Sequence, residues 1–494
     1  MFYPPAFESR WLIDRFEWKK IKDVPYAQAQ GQILLSDHEF SSLALHPDLL
    51  ANLDSLGYSA MTPIQRLSLP VILAGKDIIG QAKTGSGKTA AFGLGVLQKL
   101  DVRSFYVQAL VLCPTRELAD QVAKEIRSLG RKIHNIKVLT LCGGVPFRPQ
   151  RASLEHGAHI IVGTPGRVED HLRKRTLDLR HVKTFVLDEA DCMLDMGFQP
   201  VIHEITAYIP SARQTLLFSA TFQPGIEQLA ERVTENPERL AIDSIHEAST
   251  IKQYLYRIEA ESDRINALEL VLLERSAPSS LVFCNTRQTT KDVADALEER
   301  GFSAAAIHGD LDQRERENRL VQFANKSLSV LVATDVAARG LDIESLDVVI
   351  NYQISRDLEV HTHRIGRTGR AGNKGVACAI YTGKESYRVK LLESLLGETL
   401  EKPSLPDRAR QKVKPTKPPM VTIELDGGKR QKVRAGDIVG ALTSEGRIDG
   451  TQVGKINLFD QVAYIAIERQ ISGKALEILN GRPVKGRTFR ARLL

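Results

Sequence analysis

The sequence predicts an α/β protein with two tandem, doubly wound parallel-sheet lobes and a small C-terminal α+β domain. Three observations lead to this prediction. Short apolar runs without polar alternation, such as 109–114 and 185–191, are typical of strands buried on both faces of a parallel sheet. The same pattern begins again after about residue 245. Near the C-terminus it changes to the ferredoxin-like order β-α-β-β-α-β.

Strands of the first lobe are predicted at ALVLCP, HIIVGTP, FVLDEAD and TLLFSAT, with helical spacing between them. The segment ELADQVAKEIRSLG, for example, has the apolar spacing of a helix and ends at Gly130. The second lobe repeats the pattern at LVFCNT, AAAIHG, VLVATD and DVVINYQ. A segment rich in proline and basic residues then predicts an extended linker before the last domain.

These shifts in pattern divide the chain of 494 residues into five segments. The predicted segments are an N-terminal extension of unknown role (1–35), a first lobe (36–244), a second lobe (250–400), a basic linker (401–418) and a C-terminal domain (419–494). We expect the extension to be dispensable for activity.

Composition excludes a disordered or fibrous chain, since 43% of residues are hydrophobic and 26% are charged. There is neither a long apolar run nor a signal-peptide pattern, so we expect a soluble, cytoplasmic protein without a membrane partner. The five scattered cysteines are expected to be buried thiols. From residue 402 onward, 19 Lys and Arg face only 9 Asp and Glu, so the basic excess of the chain is C-terminal and indicates a nucleic-acid surface.

A phosphate-binding loop is predicted at AKTGSGKT, residues 82–89. Its glycines let backbone N–H groups turn toward phosphate oxygens, Lys88 reaches the β and γ phosphates, and the Thr89 hydroxyl can ligate Mg²⁺. The loop follows an apolar run and precedes a helix-forming segment, as this motif requires. The predicted nucleotide-binding residues are Ala82, Lys83, Thr84, Gly85, Ser86, Gly87, Lys88 and Thr89.

The second half of the nucleotide site is predicted where FVLDEAD places acids at the end of a buried strand. Asp188 is positioned to hold the metal, directly or through water, and Glu189 to orient and deprotonate the attacking water. The alternative is a solvated acidic turn without a function, and the presence of the phosphate loop in the same chain disfavours it.

Arginines at intervals of three follow in HRIGRTGR, residues 363–370. Because glycines interrupt this segment, we expect a loop rather than a helical basic face. Arg367 and Arg370 then suit stabilisation of the γ-phosphate, and contact with a nucleic-acid backbone is the alternative. Since these arginines lie in the second lobe, hydrolysis would require the lobes to close.

Eight segments in this order closely resemble the DEAD-box RNA helicases. They are AKTGSGKT, PTREL (114–118), GG (143–144), TPGR (164–167), DEAD (188–191), SAT (219–221), ATDVAARGLD (333–342) and HRIGRTGR. The resemblance covers about 40–397 and implies two RecA-like lobes that close over ATP and RNA. It also implies that Gln65 reads adenine, Phe40 stacks on the base and Asp342 contacts the ribose. The residues that it implies couple hydrolysis to unwinding are Ser219 and Thr221, through Asp191 and His363.

The same resemblance implies RNA contacts at small, hydroxylated or basic residues, which suit contact with a backbone rather than reading of bases. In the first lobe they are Pro114, Thr115, Arg116, Gly144, Thr164, Pro165, Gly166 and Arg167. In the second lobe they are Arg287, Gly309, Gln322 and Thr334. Taken singly, PTREL and TPGR could also be ordinary turns that lead into helices.

The C-terminal domain contains MVTIELDGGKRQKVRAGDIVGALTSEG, VGKIN and KGRTFRARLL in this order. With these segments it resembles the C-terminal domain of the bacterial DbpA group of DEAD-box proteins. This resemblance implies binding to a hairpin of large-subunit ribosomal RNA and assistance in assembly of the large subunit, with pre-ribosomal particles as partners and a monomeric chain. The candidate RNA contacts are Lys429, Arg430, Lys432, Arg434, Lys485, Arg487, Arg490 and Arg492. Only Tyr464 is available as a stacking aromatic on the third strand, so we expect recognition through loops and charge.

Two other functions remain open from sequence. The first is a general RNA helicase of messenger RNA decay or cold adaptation, which the folded C-terminal domain disfavours. The second is an RNA clamp that closes on ATP without turnover, which Glu189, Arg367 and Arg370 disfavour.

Overall fold

The computed structural model describes residues 38–494 apart from 83–84, 223, 243–250, 339–345, 356, 370–374 and 408–413. The predicted N-terminal extension therefore lies outside the described residues, as does part of the basic linker. Within the described ranges, no helix is long and apolar enough to cross a membrane. All five cysteines are buried and free, as predicted.

The first lobe is a seven-stranded parallel sheet covered by helices. Its strands are β1 (Ile78–Gln81), β2 (Ala109–Leu112), β3 (Val138–Leu141), β4 (Ile160–Gly163), β5 (Thr184–Leu187), β6 (Gln214–Ser219) and β7 (Glu238–Ala241). Its helices are α1 (Pro47–Ser55), α2 (Pro63–Leu73), α3 (Lys88–Gln98), α4 (Arg116–Leu129), α5 (Phe147–Glu155), α6 (Pro165–Arg173), α7 (Ala190–Asp195), α8 (Gln199–Thr206) and α9 (Pro224–Val233). The strand order is β3-β4-β2-β5-β6-β1-β7.

Both faces of this sheet are buried, which explains why its strands lack polar alternation. Val111 and Leu216 belong to the core on one face, whereas the neighbouring Leu110 and Leu217 belong to the core on the other. All four side chains are fully buried. The pattern is that of a parallel sheet with helices on both sides, and it confirms the fold class predicted from sequence.

The second lobe repeats this architecture with a six-stranded parallel sheet. Its strands are β8 (Ile251–Ile258), β9 (Ser280–Phe283), β10 (Ala304–Ile307), β11 (Val330–Ala333), β12 (Val348–Asn351) and β13 (Gly375–Thr382). Its helices are α10 (Arg264–Arg275), α11 (Arg287–Glu299), α12 (Gln313–Ala324), α13 (Asp335–Ala338), α14 (Leu358–Ile365) and α15 (Ser386–Leu396). The strand order is β10-β11-β9-β12-β13-β8.

The C-terminal domain is a four-stranded antiparallel sheet with two helices, in the β-α-β-β-α-β order that the sequence predicts. Its elements are β14 (Met420–Leu425), α16 (Ala435–Thr443), β15 (Val453–Leu458), β16 (Ala463–Glu468), α17 (Ser472–Gly481) and β17 (Ala491–Leu493). The strand order is β15-β16-β14-β17. Ile423 and Leu425 point into the core under the helices, and so the residues between them point to the other face of the sheet.

That other face is polar and packs on helix α12 of the second lobe. Glu424 lies opposite Tyr464 on one neighbouring strand and opposite Arg492 on the other. One carboxylate oxygen of Glu424 accepts hydrogen bonds from Arg314 (2.8 Å) and Arg492 (2.9 Å). The Tyr464 hydroxyl bonds to Asn318, also on α12. The sheet face is therefore an interface between domains.

A buried arginine organises the second lobe. Arg264 is 1% exposed, and its guanidinium pairs with Glu261 and Glu385 at 2.7 Å each. It also donates to the backbone carbonyls of Tyr352 and Ile380, both at 2.7 Å. These bonds join the start of α10 to the ends of β12 and β13.

We predict that Arg264→Met destabilises the second lobe by about 3 kcal/mol or more, because it leaves Glu385 and two carbonyls without their buried partner. Native-state amide hydrogen exchange of β13 measures this loss. The exposed Arg257, 4.0 Å from Glu259, is the control, and Arg257→Ala should change the free energy of unfolding by less than about 0.5 kcal/mol. Equal protection of β13 in the Arg264 variant and in the unaltered chain would contradict the prediction.

Candidate functional site

Six predicted site segments of the first lobe follow the C-terminal ends of parallel strands, whereas Phe40 and Gln65 precede the sheet. The phosphate loop follows β1, PTREL follows β2, GG follows β3, TPGR follows β4, DEAD follows β5, and SAT begins at the last residue of β6. Parallel strands bring these ends to one edge of the sheet. The strand order places the predicted RNA segments on β3-β4-β2 and the predicted nucleotide segments on β5-β6-β1.

The phosphate loop has the backbone that anion binding requires. Gly85 and Gly87 have φ of 82° and 92°, in the left-handed region that favours glycine. Lys88 is the first residue of α3 and is 5% exposed, and its ammonium donates to the Ala82 carbonyl at 2.9 Å. A glycine turn that leads into a helix N-terminus suits phosphate groups. Lys83 and Thr84 lie outside the described residues.

Gln65 contacts the phosphate loop directly. Its carbonyl oxygen accepts from the Thr62 backbone N–H at 2.9 Å and caps α2, while its amide nitrogen donates to the Gly87 carbonyl at 3.0 Å. Phe40 is 4% exposed and packs edge-on against Tyr58, with ring centroids 6.1 Å apart. Gln65 thus links the segment before α2 to the loop. Its reading of adenine stays a prediction.

The two acids that follow β5 are buried beside this loop. Asp188 is 2% exposed, and its Oδ1 has no hydrogen-bond partner among the described residues. Burial raises the pKa of Asp188 to about 6, Lys88 opposes the rise, and Glu189 adds to it. Glu189, 4% exposed, has a φ of 51°, a left-handed conformation rare outside glycine. A buried carboxylate that has an oxygen without a hydrogen-bond partner suits binding of a cation. The neighbouring phosphate loop suits binding of the phosphates of ATP.

Two of the four residues that the resemblance implies for coupling, Asp191 and Thr221, are hydrogen-bonded to each other. Asp191 accepts from the Thr221 backbone N–H (3.2 Å) and from its hydroxyl (3.4 Å), and also from the Ala220 N–H (3.1 Å). Ser219 does not reach Asp191 but donates to the Thr221 carbonyl at 2.7 Å. His363 lies in α14 of the second lobe, and its role stays a prediction.

The arginine segment differs from the sequence prediction in its first half. We expected a loop throughout, yet α14 runs to residue 365 and includes Arg364, because the first glycine comes only at residue 366. Arg364 is 2% exposed and pairs with Asp335 at 2.6 Å, so it fixes the fold of the second lobe. Arg367 follows the helix, and its Nη1 is buried without a hydrogen-bond partner in the described chain. Arg370 and Asp342 lie outside the described residues.

The two lobes contact each other through the predicted RNA segment PTREL. Arg116 donates to Gln313 at 2.6 Å, and Glu117 pairs with Arg316 at 2.5 Å. Gln313 and Arg316 stand one turn apart at the start of α12. The sequence analysis missed both residues, although a polar pair spaced by three is a recognisable signal of one helix face.

Glycine is required at position 144 beside this contact. Its φ is 71°, and a Cβ there would lie 1.6 Å from Nη1 of Arg116.

The remaining RNA residues predicted in the two lobes lie at strand ends and helix starts. Thr115 and Thr164 are the N-cap residues of α4 and α6, so PTREL and TPGR do lead into helices. The other residues are Pro114 before α4, Pro165, Gly166 and Arg167 in the first turn of α6, Arg287 at the start of α11, Gly309 after β10, Gln322 on α12 and Thr334 after β11. Their contact with RNA stays a prediction.

All eight candidate RNA contacts of the C-terminal domain are exposed. Two turns meet at one end of the domain, since Lys485 donates to the Lys432 carbonyl at 2.9 Å. Arg492 instead lies at the sheet face and pairs with Glu424. Tyr464 is fully buried against α12, which removes the one aromatic available for stacking on that strand. The residues of these turns are Lys429, Arg430, Lys432, Lys485 and Arg487.

Three family models match parts of the chain. A DEAD/DEAH box helicase model matches residues 62–229, a helicase conserved C-terminal domain model matches 263–372, and a DbpA RNA binding domain model matches 422–493. Together with the relatives below, they show that the chain belongs to the DEAD-box ATP-dependent RNA helicases. This confirms the enzyme class predicted from sequence.

Within that family the chain is similar to DbpA over nearly its whole length. It is 50% identical to the ATP-dependent RNA helicase DbpA of Escherichia coli, over 92% of this chain and 99% of that protein. It is 34% identical to DbpA of Bacillus subtilis, over 91% and 98% of the two chains. Among solved structures, a single-substitution variant of S. cerevisiae Dbp5 bound to RNA and ADP-BeF3 has 32% identity and a TM-score of 0.68, over 75% of this chain and 96% of that one.

We predict that Glu189→Gln lowers kcat of RNA-stimulated ATP hydrolysis by about 10²- to 10⁴-fold, because the amide cannot accept a proton from the attacking water. Binding of ATP and RNA should persist, since the substitution keeps the shape of the side chain. Steady-state hydrolysis and equilibrium binding measure the two effects. Glu155→Gln, on the exposed end of α5, is the control, and a kcat within threefold of it would be evidence against the assigned role.

We predict that Gly144→Ala raises the single-stranded RNA concentration for half-maximal ATPase stimulation by about tenfold, because the added Cβ displaces Arg116 from Gln313. A titration with poly(U) at saturating ATP measures this shift. Gly301→Ala is the matched control, because Gly301 also has a positive φ (88°) but nothing lies within 4 Å of a Cβ there. The explanation fails if both variants shift the titration equally.

Proposed function

We propose that this protein locally unwinds duplexes of large-subunit ribosomal RNA in an ATP- and Mg²⁺-dependent reaction and so assists assembly of the large ribosomal subunit. In this proposal the C-terminal domain binds a ribosomal RNA hairpin and tethers the two lobes to a neighbouring duplex. The protein acts as a cytoplasmic monomer on pre-ribosomal particles.

The similarity of the C-terminal domain to that of DbpA, together with its exposed basic turns, carries the proposal. The turns at 429–432 and 484–487 present lysines and arginines on loops, where they can contact a folded RNA. The polar sheet face contacts α12 of the second lobe and is therefore not available for RNA. This division of the domain supports recognition of one RNA element by loops and charge.

For Mg²⁺, the support comes from the chemistry of Thr89 and Asp188. A hydroxyl and a carboxylate are hard oxygen ligands of the kind that Mg²⁺ prefers, and Asp188 has a buried oxygen without a partner in the described chain. When bound, the ion would neutralise the charge that develops on the phosphates. Lys88 binds the same phosphates. Glu189 orients the attacking water and accepts a proton from it.

The experiment that tests the proposal compares RNA-stimulated ATPase activity with poly(U) and with a ribosomal RNA fragment that contains the peptidyl-transferase hairpin. Stimulation should be much stronger with the fragment than with poly(U). Arg487→Ala/Arg490→Ala in the full chain should weaken stimulation by the fragment about tenfold or more and leave that by poly(U) unchanged, because only the fragment engages the domain.

Lys455→Ala/Lys474→Ala is the matched control, since it removes the same charge from other parts of the same domain. Each titration should be run at about 50 and 200 mM salt, because purely electrostatic binding weakens steeply for every RNA alike. Equal stimulation by all RNAs, with or without the arginines, would instead indicate a general RNA helicase. RNA and ATP binding without turnover would indicate a clamp.

A further inference from the structure

Gln150, on α5, occupies a buried position between two of the predicted RNA segments. It is 8% exposed. Its amide nitrogen donates to the Cys142 carbonyl at 3.0 Å, and its carbonyl oxygen accepts from Nη1 of Arg167 at 2.6 Å. Arginine only donates and a backbone carbonyl only accepts, so the chemistry of the two partners fixes the orientation of the amide.

A buried histidine completes this arrangement. Nε2 of His171 lies 3.1 Å from the Gln150 carbonyl oxygen, which can only accept a hydrogen bond, so Nε2 carries the proton. Burial, with Arg167 nearby, lowers the pKa of His171 to about 4. The ring stacks on Phe147 with centroids 4.1 Å apart. The neutral histidine therefore gives Gln150 a second fixed donor.

These bonds join the loop after β3 to the first turn of α6. Cys142 directly precedes the two glycines, and Arg167 also donates to the Val145 carbonyl at 2.9 Å. Gln150 and Arg167 thus hold the glycine loop from both sides. The loop in turn surrounds the guanidinium of Arg116, which reaches the second lobe.

We propose that Gln150 is a positioning residue for RNA binding, which sets the glycine loop and Arg167 at a fixed spacing so that both meet one RNA backbone. The proposal rests on the RNA contacts assigned above to Gly144 and Arg167. Gln150 acts through Arg167 and the loop, and does not itself touch RNA. A side chain that served only to fill the core would be replaceable by any apolar residue of similar volume.

Gln150→Met tests this distinction, because it keeps the length and volume of the side chain and removes all three hydrogen bonds. We expect the poly(U) concentration for half-maximal ATPase stimulation to rise about tenfold. The KM for ATP and the basal rate without RNA should stay unchanged, since the nucleotide segments lie on other strands. Gln150→Glu keeps the acceptor for Arg167 but cannot donate to the Cys142 carbonyl, so it should recover only part of the lost affinity.

Arg167→Met and the double variant Gln150→Met/Arg167→Met separate the possible outcomes. If Gln150 acts through Arg167, the double variant should be no weaker than the worse single variant. The proposal would be overturned if the increases in half-maximal poly(U) concentration caused by the two substitutions multiplied in the double variant. It would also be overturned if Gln150→Met had the same titration as the unaltered chain. Either outcome would leave the RNA contacts of Gly144 and Arg167 in place. Normal RNA stimulation of Arg167→Met would overturn both this proposal and the RNA contact on which it rests.

Discussion

The parallel direction of the strands in the first lobe is the constraint on which the rest of the site depends. Six segments separated by up to about 140 residues reach one edge of the sheet only because every strand points the same way. The strand order then places the predicted RNA segments on one half of that edge and the predicted nucleotide segments on the other. SAT at the end of β6 and DEAD at the end of β5 follow adjacent strands. This adjacency brings Thr221 within hydrogen-bond distance of Asp191.

Polar groups on the outer face of the C-terminal sheet help to hold this small domain against the second lobe, beside the buried tyrosine ring of β16. Glu424 is 4% exposed and is shared by Arg314 and Arg492, so its buried charge has two partners. Thr422 bonds to Asn325 at 3.3 Å in the same interface. Polar contacts of this kind depend on geometry, and they give the domain one orientation rather than many. The loops then carry the basic surface.

Sequence could predict the segments of the site because each one follows a buried apolar strand and keeps its own local spacing. It could not predict their partners. Arg364 lies in the same basic segment as Arg367, but its partner Asp335 lies 29 residues away, and only the packed lobe brings the two together. Gln150 has no distinctive local pattern, because its importance lies in three partners on two other segments, one after β3 and two on α6. The order of the strands in the sheet also follows from tertiary packing. Sequence therefore could not predict which site segments lie next to each other along the sheet edge.

The nucleotide site combines features that destabilise a folded chain when nothing is bound. Asp188 is buried with a raised pKa of about 6, and Glu189 next to it has a left-handed backbone. Buried charge and backbone strain each cost free energy that surrounding packing must offset. A cation beside Asp188 and phosphates beside Lys88 would relieve the electrostatic part of this cost. Binding of the nucleotide is therefore coupled to the stability of the sheet edge, and the same edge carries the RNA segments and the contact with the second lobe.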